Sequence, residues 1–192
     1  MPVDAGAMSD EALLAASGRG AARAARALSD RLLPVVWRTA RRLLGDSAEA
    51  EDVAQEAMLR LWRIAPDWRA GEAKVSTWLY RVTVNLCTDR LRRSGRGVAL
   101  DGVSEPEDGA PGAAARLMET DRMAALDAAL RALPERQRQA VVLRHLEGLA
   151  NPEIAEILGV GVEAVESLTA RGRRGLAALL AGRKEELGYD DA

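Results

Sequence analysis

Between positions 74 and 93 stand Trp78, Tyr80, Arg81, Asn85, Arg92 and Arg93, around an apolar side of one predicted helix. Aromatic rings stack on bases, an amide pairs with base edges, and guanidinium groups meet phosphates. One short rod carrying all three can hold an unstacked strand beside its backbone. The same residues also suit a core helix, with Trp78 and Tyr80 inside and the arginines as a solvated face. The choice rests on the elements around it.

Composition narrows the options. The 192 residues are 48% apolar and 29% charged, as in a globular chain of one or two small domains. No apolar run approaches the roughly 18 residues of a membrane span, so no membrane insertion is expected. The N-terminus has acids before any base and does not read as a secretory signal. Cys87 and His145 are the sole cysteine and histidine, which excludes a disulfide framework and a Cys/His zinc site within this chain. A reducing cytoplasm fits that usage. The net charge is only −2, but its distribution is segregated. Residues 74–96 carry six bases against Asp89 alone. Residues 97–121 carry Asp101, Glu105, Glu107, Asp108, Glu119 and Asp121 against Arg116. Separate surfaces with separate partners follow from such a split.

The pattern throughout is helical, with no alternating strand signal. Ser9 or Asp10 is placed to cap a short helix that Gly18 and Gly20 break. A helix over 21–33 meets Pro34, a boundary or kink, and continues over 35–44 to Gly45, with Val35, Val36, Leu43 and Leu44 for a core. Asp46 or Ser47 restarts the chain. The next helix lines up Val53, Ala57, Leu61 and Ile64 on one stripe and Asp52, Gln55, Glu56, Leu59 and Trp62 on another. An acidic stripe with an apolar centre and a tryptophan suits a partner interface, or a solvated face. Pro66 ends it. A loop with Trp68, Arg69 and Gly71 leads to the opening helix, for which Ser76 or Thr77 is a candidate cap. Residues 97–115, rich in Gly, Pro and acids, read as a linker without fixed structure of its own.

Beyond the linker, Leu117, Ala124, Leu126, Leu130 and Leu133 suit an amphipathic helix stopped by Pro134. Ala140, Val141, Leu143 and Leu146 give the next one its core face, and Gly148 ends it. Asn151 is then a candidate cap, with Pro152 in the first turn. A short helix to Gly159 and a long one over 162–180 make a helix-turn-helix. Ile154, Ala155, Leu158, Val160, Val165 and Leu168 face inward. Gly172 and Gly175 lower the propensity of the long helix. Its outward residues are Glu163, Ala164, Glu166, Ser167, Thr169, Ala170, Arg171, Arg173 and Arg174, the early ones placed for base edges and the later cations for phosphates.

Four segments now stand in order: EDVAQEAMLRLWR, STWLYRVTVNLCTDRLRR, LPERQRQAVVLRHLEGLANPEIAEILGV and VEAVESLTARGRRGL. Together they resemble the successive motifs of bacterial RNA polymerase sigma factors of the sigma-70 family. The form without intervening domains is similar to the extracytoplasmic-function (ECF) group. The resemblance implies an all-α chain of two helical domains. Domain two would span 21–96 after an N-terminal extension at 1–20. A flexible acidic linker would span 97–117 and thread the channels that later carry RNA. Helix-turn-helix domain four would span 118–184, before a tail at 185–192.

The resemblance also implies roles. Asp52, Gln55, Glu56, Leu59 and Trp62 would dock on the clamp helices of the polymerase beta-prime subunit, and domain four on the beta flap. The loop from Trp68 through Arg69 to Lys74 would cup a flipped base of the −10 strand. Trp78, Tyr80 and Arg81 occupy the family's WLYR positions, with Trp78 as much scaffold as platform. Asn85 would bond −10 bases, and Arg92 and Arg93 would meet phosphates. Domain four would read the −35 duplex through Glu163, Glu166, Ser167, Thr169, Ala170, Arg171, Arg173 and Arg174. An anti-sigma factor would hold the protein inactive. No metal, cofactor or catalytic chemistry is implied. Strand opening would draw on captured bases, each worth about 1–3 kcal/mol in stacking.

One departure matters. Many relatives carry a base after the valine matching Val165, and often an arginine two places on; here Glu166 and Leu168 stand there. A glutamate accepts from a cytosine amino group, and the hypothesis is that Glu166 does so. Glu166→Ala is then expected to change the −35 preference selected from a randomised promoter library. An unchanged preference sinks the idea.

Two rivals come from other classes. A helix-turn-helix regulator binding only duplex DNA would not need the Trp62 face or Asn85. An enzyme could be imagined on Glu49, Glu51, Asp52 and Glu56, but no histidine or glycine-rich phosphate loop accompanies them.

Overall fold

The computed structural model describes residues 8–69, 74–94 and 113–181, with side chains from position 121 in the last segment. Eight α-helices run through these residues, and no strand occurs among them. They are α1 (Asp10–Gly18), α2 (Ala22–Leu44), α3 (Ser47–Ile64), α4 (Val75–Ser94), α5 (Ala113–Ala132), α6 (Glu135–Val141), α7 (Asn151–Leu158) and α8 (Val162–Ala181). A 3-10 turn at Ala65–Asp67 follows α3, and a π turn at Val142–Leu146 extends α6. The predicted linker at 97–117 lies outside the described residues up to 112. Helix α5 begins at Ala113, ahead of the start expected near Met118.

Local chemistry explains most of the ends. Ser9 accepts the Ala12 N–H at 3.2 Å and caps α1. Asp46 accepts the Glu49 N–H at 2.8 Å and caps α3. Gly45 stops α2 with φ 79°, a left-handed conformation open to glycine without cost, and donates its N–H to Arg41 O at 2.8 Å.

Pro34 is neither a boundary nor a stop: α2 passes through it. Its ring lies on the exposed side, where water can take the carbonyl that a proline leaves unpaired. Leu32 and Val36 on the other side are buried and hold the helix to the core.

Several expected details are corrected. Ser76 and Thr77 do not cap α4, which starts one residue earlier. The Val75 N–H points to the Glu11 carboxylate at 3.4 Å, a cap borrowed from α1, and Thr77 is buried. Asn151 is inside α7, and Ala150 takes the cap position. The Glu153 carboxylate accepts the Ala150 N–H at 3.2 Å in compensation. Ala124 is exposed, and Ala125 and Ala129 carry the core face of α5 instead.

Two apolar clusters form the interior. One joins α1, the first half of α2, α3 and the start of α4, around Leu13, Leu14, Leu28, Leu61 and Val75. The other joins α5–α8 around Leu130, Leu143, Ile154 and Val165, and also takes in Leu43 of α2, Val53 of α3, and Val84 and Cys87 of α4. The helices before and after the linker therefore share one core.

Candidate nucleic-acid interface

Helix α4 lies between the two clusters. Its N-terminal aromatics turn inward. Trp78 and Trp68 meet edge to face with ring centroids 6.3 Å apart, and both pack against the first cluster. The Trp68 indole N–H is buried without a partner. Trp78 is thus a scaffold in this arrangement, and Trp68 supports it. Arg69 is exposed, while residues 70–73 of the expected base-cupping loop lie outside the described residues.

Lys74, just before α4, and some polar groups of α4 itself meet the second block. Lys74 Nζ donates to Glu153 at 2.9 Å. Arg81 donates to the Glu156 backbone carbonyl at 2.9 Å and to its carboxylate at 3.3 Å. Tyr80 donates its hydroxyl to Glu147 at 3.2 Å. Arg38 of α2 donates to both oxygens of the same carboxylate, at 3.2 and 2.6 Å. Burial, and then the Glu147 charge, push the Tyr80 hydroxyl pKa up. The hydrogen bond from Lys74 holds the Glu153 carboxyl below its usual range. Asn85 stays exposed and borders a polar cavity with Arg92, Asp89, Glu135, Arg136 and Gln139. Arg92 and Arg93 are exposed at the end of α4.

The acidic stripe of α3 faces solvent. Asp52 and Gln55 are exposed, Glu56 and Trp62 half-buried, and Leu59 is 51% exposed. Here the structure adds residues that the stripe did not name. Ser29 and Leu33 of α2, with Met58, complete an apolar groove around Leu59 and Trp62. Leu33 is 41% exposed. The Leu32–Leu33 doublet was a faint sign, because adjacent helix positions point in different directions, although Leu13 and Leu14 of α1 are both buried.

In the helix-turn-helix, Ile154, Leu158 and Val165 are buried as expected. Glu163, Glu166, Arg171, Arg173 and Arg174 are exposed on α8, and Ser167 and Ala170 are half-buried. Thr169 departs from the outward face: its hydroxyl is buried and unpaired. Glu166 takes a 3.4 Å hydrogen bond from the Asn151 side chain, and Arg171 folds back on Ser167 at 2.7 Å. These contacts hold both side chains over the outer face of α8.

Cys87 is 1% exposed, and burial pushes its thiol up to about 12. At pH 8 that leaves roughly a thousandth of the thiolate present in an ordinary thiol of pKa near 9. Labelling by an aromatic disulfide reagent is therefore expected to be at least ~100-fold slower than in urea. Comparable rates would place Cys87 outside the shared core. His145 is exposed. No group of His, Cys, Asp or Glu among the described residues is arranged to hold a metal ion.

A helix-turn-helix with an exposed cationic second helix, beside a second helical block with an open apolar groove, defines a DNA-binding transcription protein as a class. Residues 28–97 match the family model Sigma-70 region 2, and residues 123–176 match Sigma-70, region 4. The chain is 38% identical over 172 residues to the ECF RNA polymerase sigma factor SigM of Mycobacterium tuberculosis, covering 90% of this chain and 85% of that one. It is 37% identical over 155 residues to the ECF sigma factor SigE of Mycolicibacterium smegmatis, covering 79% of this chain and spanning 59% of that relative's length. The solved structure of CnrH in complex with the cytosolic domain of CnrY is similar, at 27% identity and a TM-score of 0.67. That match covers 90% of this chain and 97% of that one. The chain belongs to the ECF sigma factors of RNA polymerase.

Proposed function

We infer that this chain joins the RNA polymerase core through the α2–α3 groove and directs it to promoters. The observation that carries this is the groove itself. Leu33 and Leu59 stand open beside Trp62 and the acids of α3, a mixed surface of the kind that binds a partner protein. The clamp helices of the beta-prime subunit are the partner the family resemblance implies, with the beta flap for region four. Asn85 reads −10 bases in a melted strand, with Lys74, Tyr80, Arg81, Arg92 and Arg93 as stacking or phosphate contacts. Glu163, Glu166, Ser167, Ala170, Arg171, Arg173 and Arg174 of α8 face the −35 duplex.

The chain performs no catalytic step of its own and acts in the cytoplasm. No described helix is long and apolar enough to cross a membrane. Control by an anti-sigma factor is supported by the CnrH structure, which holds a second protein's cytosolic domain.

Run-off transcription with added polymerase core tests the whole reading, since a regulator of duplex DNA alone gives no start-site-specific transcript. Within it, Asn85→Ala is expected to lower open-complex formation about tenfold while core affinity holds. That is the loss for one base contact of ~1–3 kcal/mol. Permanganate footprinting and a core-binding titration read the two quantities separately. Lost core binding would make Asn85 a structural residue.

A further inference from the structure

We propose that Asn151 sets the base preference of the −35 reader: its carboxamide holds the Glu166 carboxylate in an orientation that accepts from a cytosine amino group. Asn151 is a positioning residue here and Glu166 the contact. The proposal rests on the reading of Glu166 as a base contact and deepens it.

Asn151 looks in sequence like a helix cap, and the structure frees it from that task. It stands inside α7, Ala150 takes the cap position, and the Glu153 carboxylate accepts the Ala150 N–H. The Asn151 side chain instead crosses to the second helix, where Nδ2 donates to Glu166 Oε1 at 3.4 Å. Asn151 is half-buried and Glu166 exposed. Ile154 of α7 and Val165 of α8 are both fully buried, so the two side chains meet across elements that the core holds in place. At 3.4 Å the bond is long and adds little to stability. What it changes is where the carboxylate points.

A glutamate over DNA needs such a guide. Phosphates repel it, and its side-chain torsions must freeze before it can meet one base edge. A cation beside it would hold it but would also neutralise it. Among the described residues no Lys or Arg pairs with Glu166, and Arg171, further along α8, folds onto Ser167 at 2.7 Å. An amide donor leaves the charge intact and occupies Oε1, with Oε2 left to accept from a base. Guanine and thymine present acceptors in the major groove, and adenine sets its amino group beside the N7 acceptor. A carboxylate fixed in place therefore favours cytosine over all three.

The test uses holoenzyme assembled with the full chain and a promoter library randomised across the −35 element. Sequencing the bound fraction gives an enrichment for each base at each position, and a thermal melt is run beside it. Glu166→Ala locates the base that Glu166 reads, by erasing the cytosine preference there. Asn151→Ala is expected to lower that preference about fivefold, the cost of freezing one unguided side chain. The other −35 positions and the melting temperature should stay as in the parent. Asn151→Asp is the stricter variant. A carboxylate suits the first turn of α7, so the fold is kept, but it cannot donate and it repels Glu166. The same loss or more is expected. In the Glu166→Ala background, Asn151→Ala should change nothing further, because it acts only through Glu166.

A cytosine preference that survives both Asn151 variants, while Glu166→Ala erases it, overturns the positioning role. A loss at a different position, or a further loss in the double variant, overturns it too, since Asn151 is then a reader itself. Uniform weakening at every position with a lowered melting temperature makes the pair a structural clamp and also overturns it. If Glu166→Ala leaves the preference untouched, the base reading itself has failed, and the proposal falls with it.

Discussion

A Leu59→Asp chain is expected to keep its melting temperature and to lose polymerase core. Leu59 is 51% exposed, so the folded state loses almost no packing. Substitutions at such positions change stability by about 0.5 kcal/mol or less. In a complex the same side chain would be the centre of the groove between Leu33 and Trp62. Central apolar anchors are worth about 2 kcal/mol or more on truncation, near a 30-fold loss of affinity. A carboxylate there also has to be desolvated without a partner, which adds to the loss. The measurement is a titration of labelled chain with core polymerase beside a thermal melt. Affinity within threefold of the parent, at an unchanged melting temperature, would move the docking face elsewhere. The contrast with Asn85→Ala is informative, because that variant should keep core binding and lose strand opening.

The groove also shows how far local pattern reaches. The α3 stripe from Asp52 to Trp62 was legible, because three-and-four spacing fixes which residues share a face. Its other wall on α2 depends on how two helices pack, and only the Leu32–Leu33 doublet hinted at it. The helix-turn-helix was legible for a similar reason: Pro152, Gly159 and the inward Ile154, Leu158 and Val165 all lie within one short stretch. The two failed caps, at Thr77 and Asn151, were lost to carboxylates that do the same task from Glu11 and Glu153.

The packing of the two blocks had no local signal at all. Arg38 and Glu147 are 109 positions apart, the first inside α2 and the second just past the π turn. Segregated charge predicted separate partners for separate surfaces. In the folded chain two cations of the basic stretch, Lys74 and Arg81, instead pair with acids from outside the acidic stretch, Glu153 and Glu156 of region four.

The glycines of α8 yield the second large effect. By propensity alone Gly172 and Gly175 are weak points, and replacing either should strengthen the helix by up to about 1 kcal/mol. Packing reverses that expectation at one of them. A Cβ on Gly172 would stand 2.5 Å from Val141 Cγ2 and 3.0 Å from the Gln137 backbone carbonyl of α6. A backbone oxygen cannot swing aside, so α6 and α8 would have to part, and both carry the core of region four. A Cβ on Gly175 would meet only Leu133 Cδ2, at 2.7 Å, the far end of a flexible side chain. Gly172→Val is therefore expected to cost at least about 2 kcal/mol by overpacking. That lowers the melting temperature by roughly 4–8 °C for a chain of this size. Gly175→Ala is expected to fall within about 0.5 kcal/mol of the parent, its propensity gain offsetting one displaced methyl. Urea midpoints of the two variants decide the matter. The reverse order, with Gly175→Ala the damaging change, would mean that α8 packs on α6 through some other contact than the Gly172 notch.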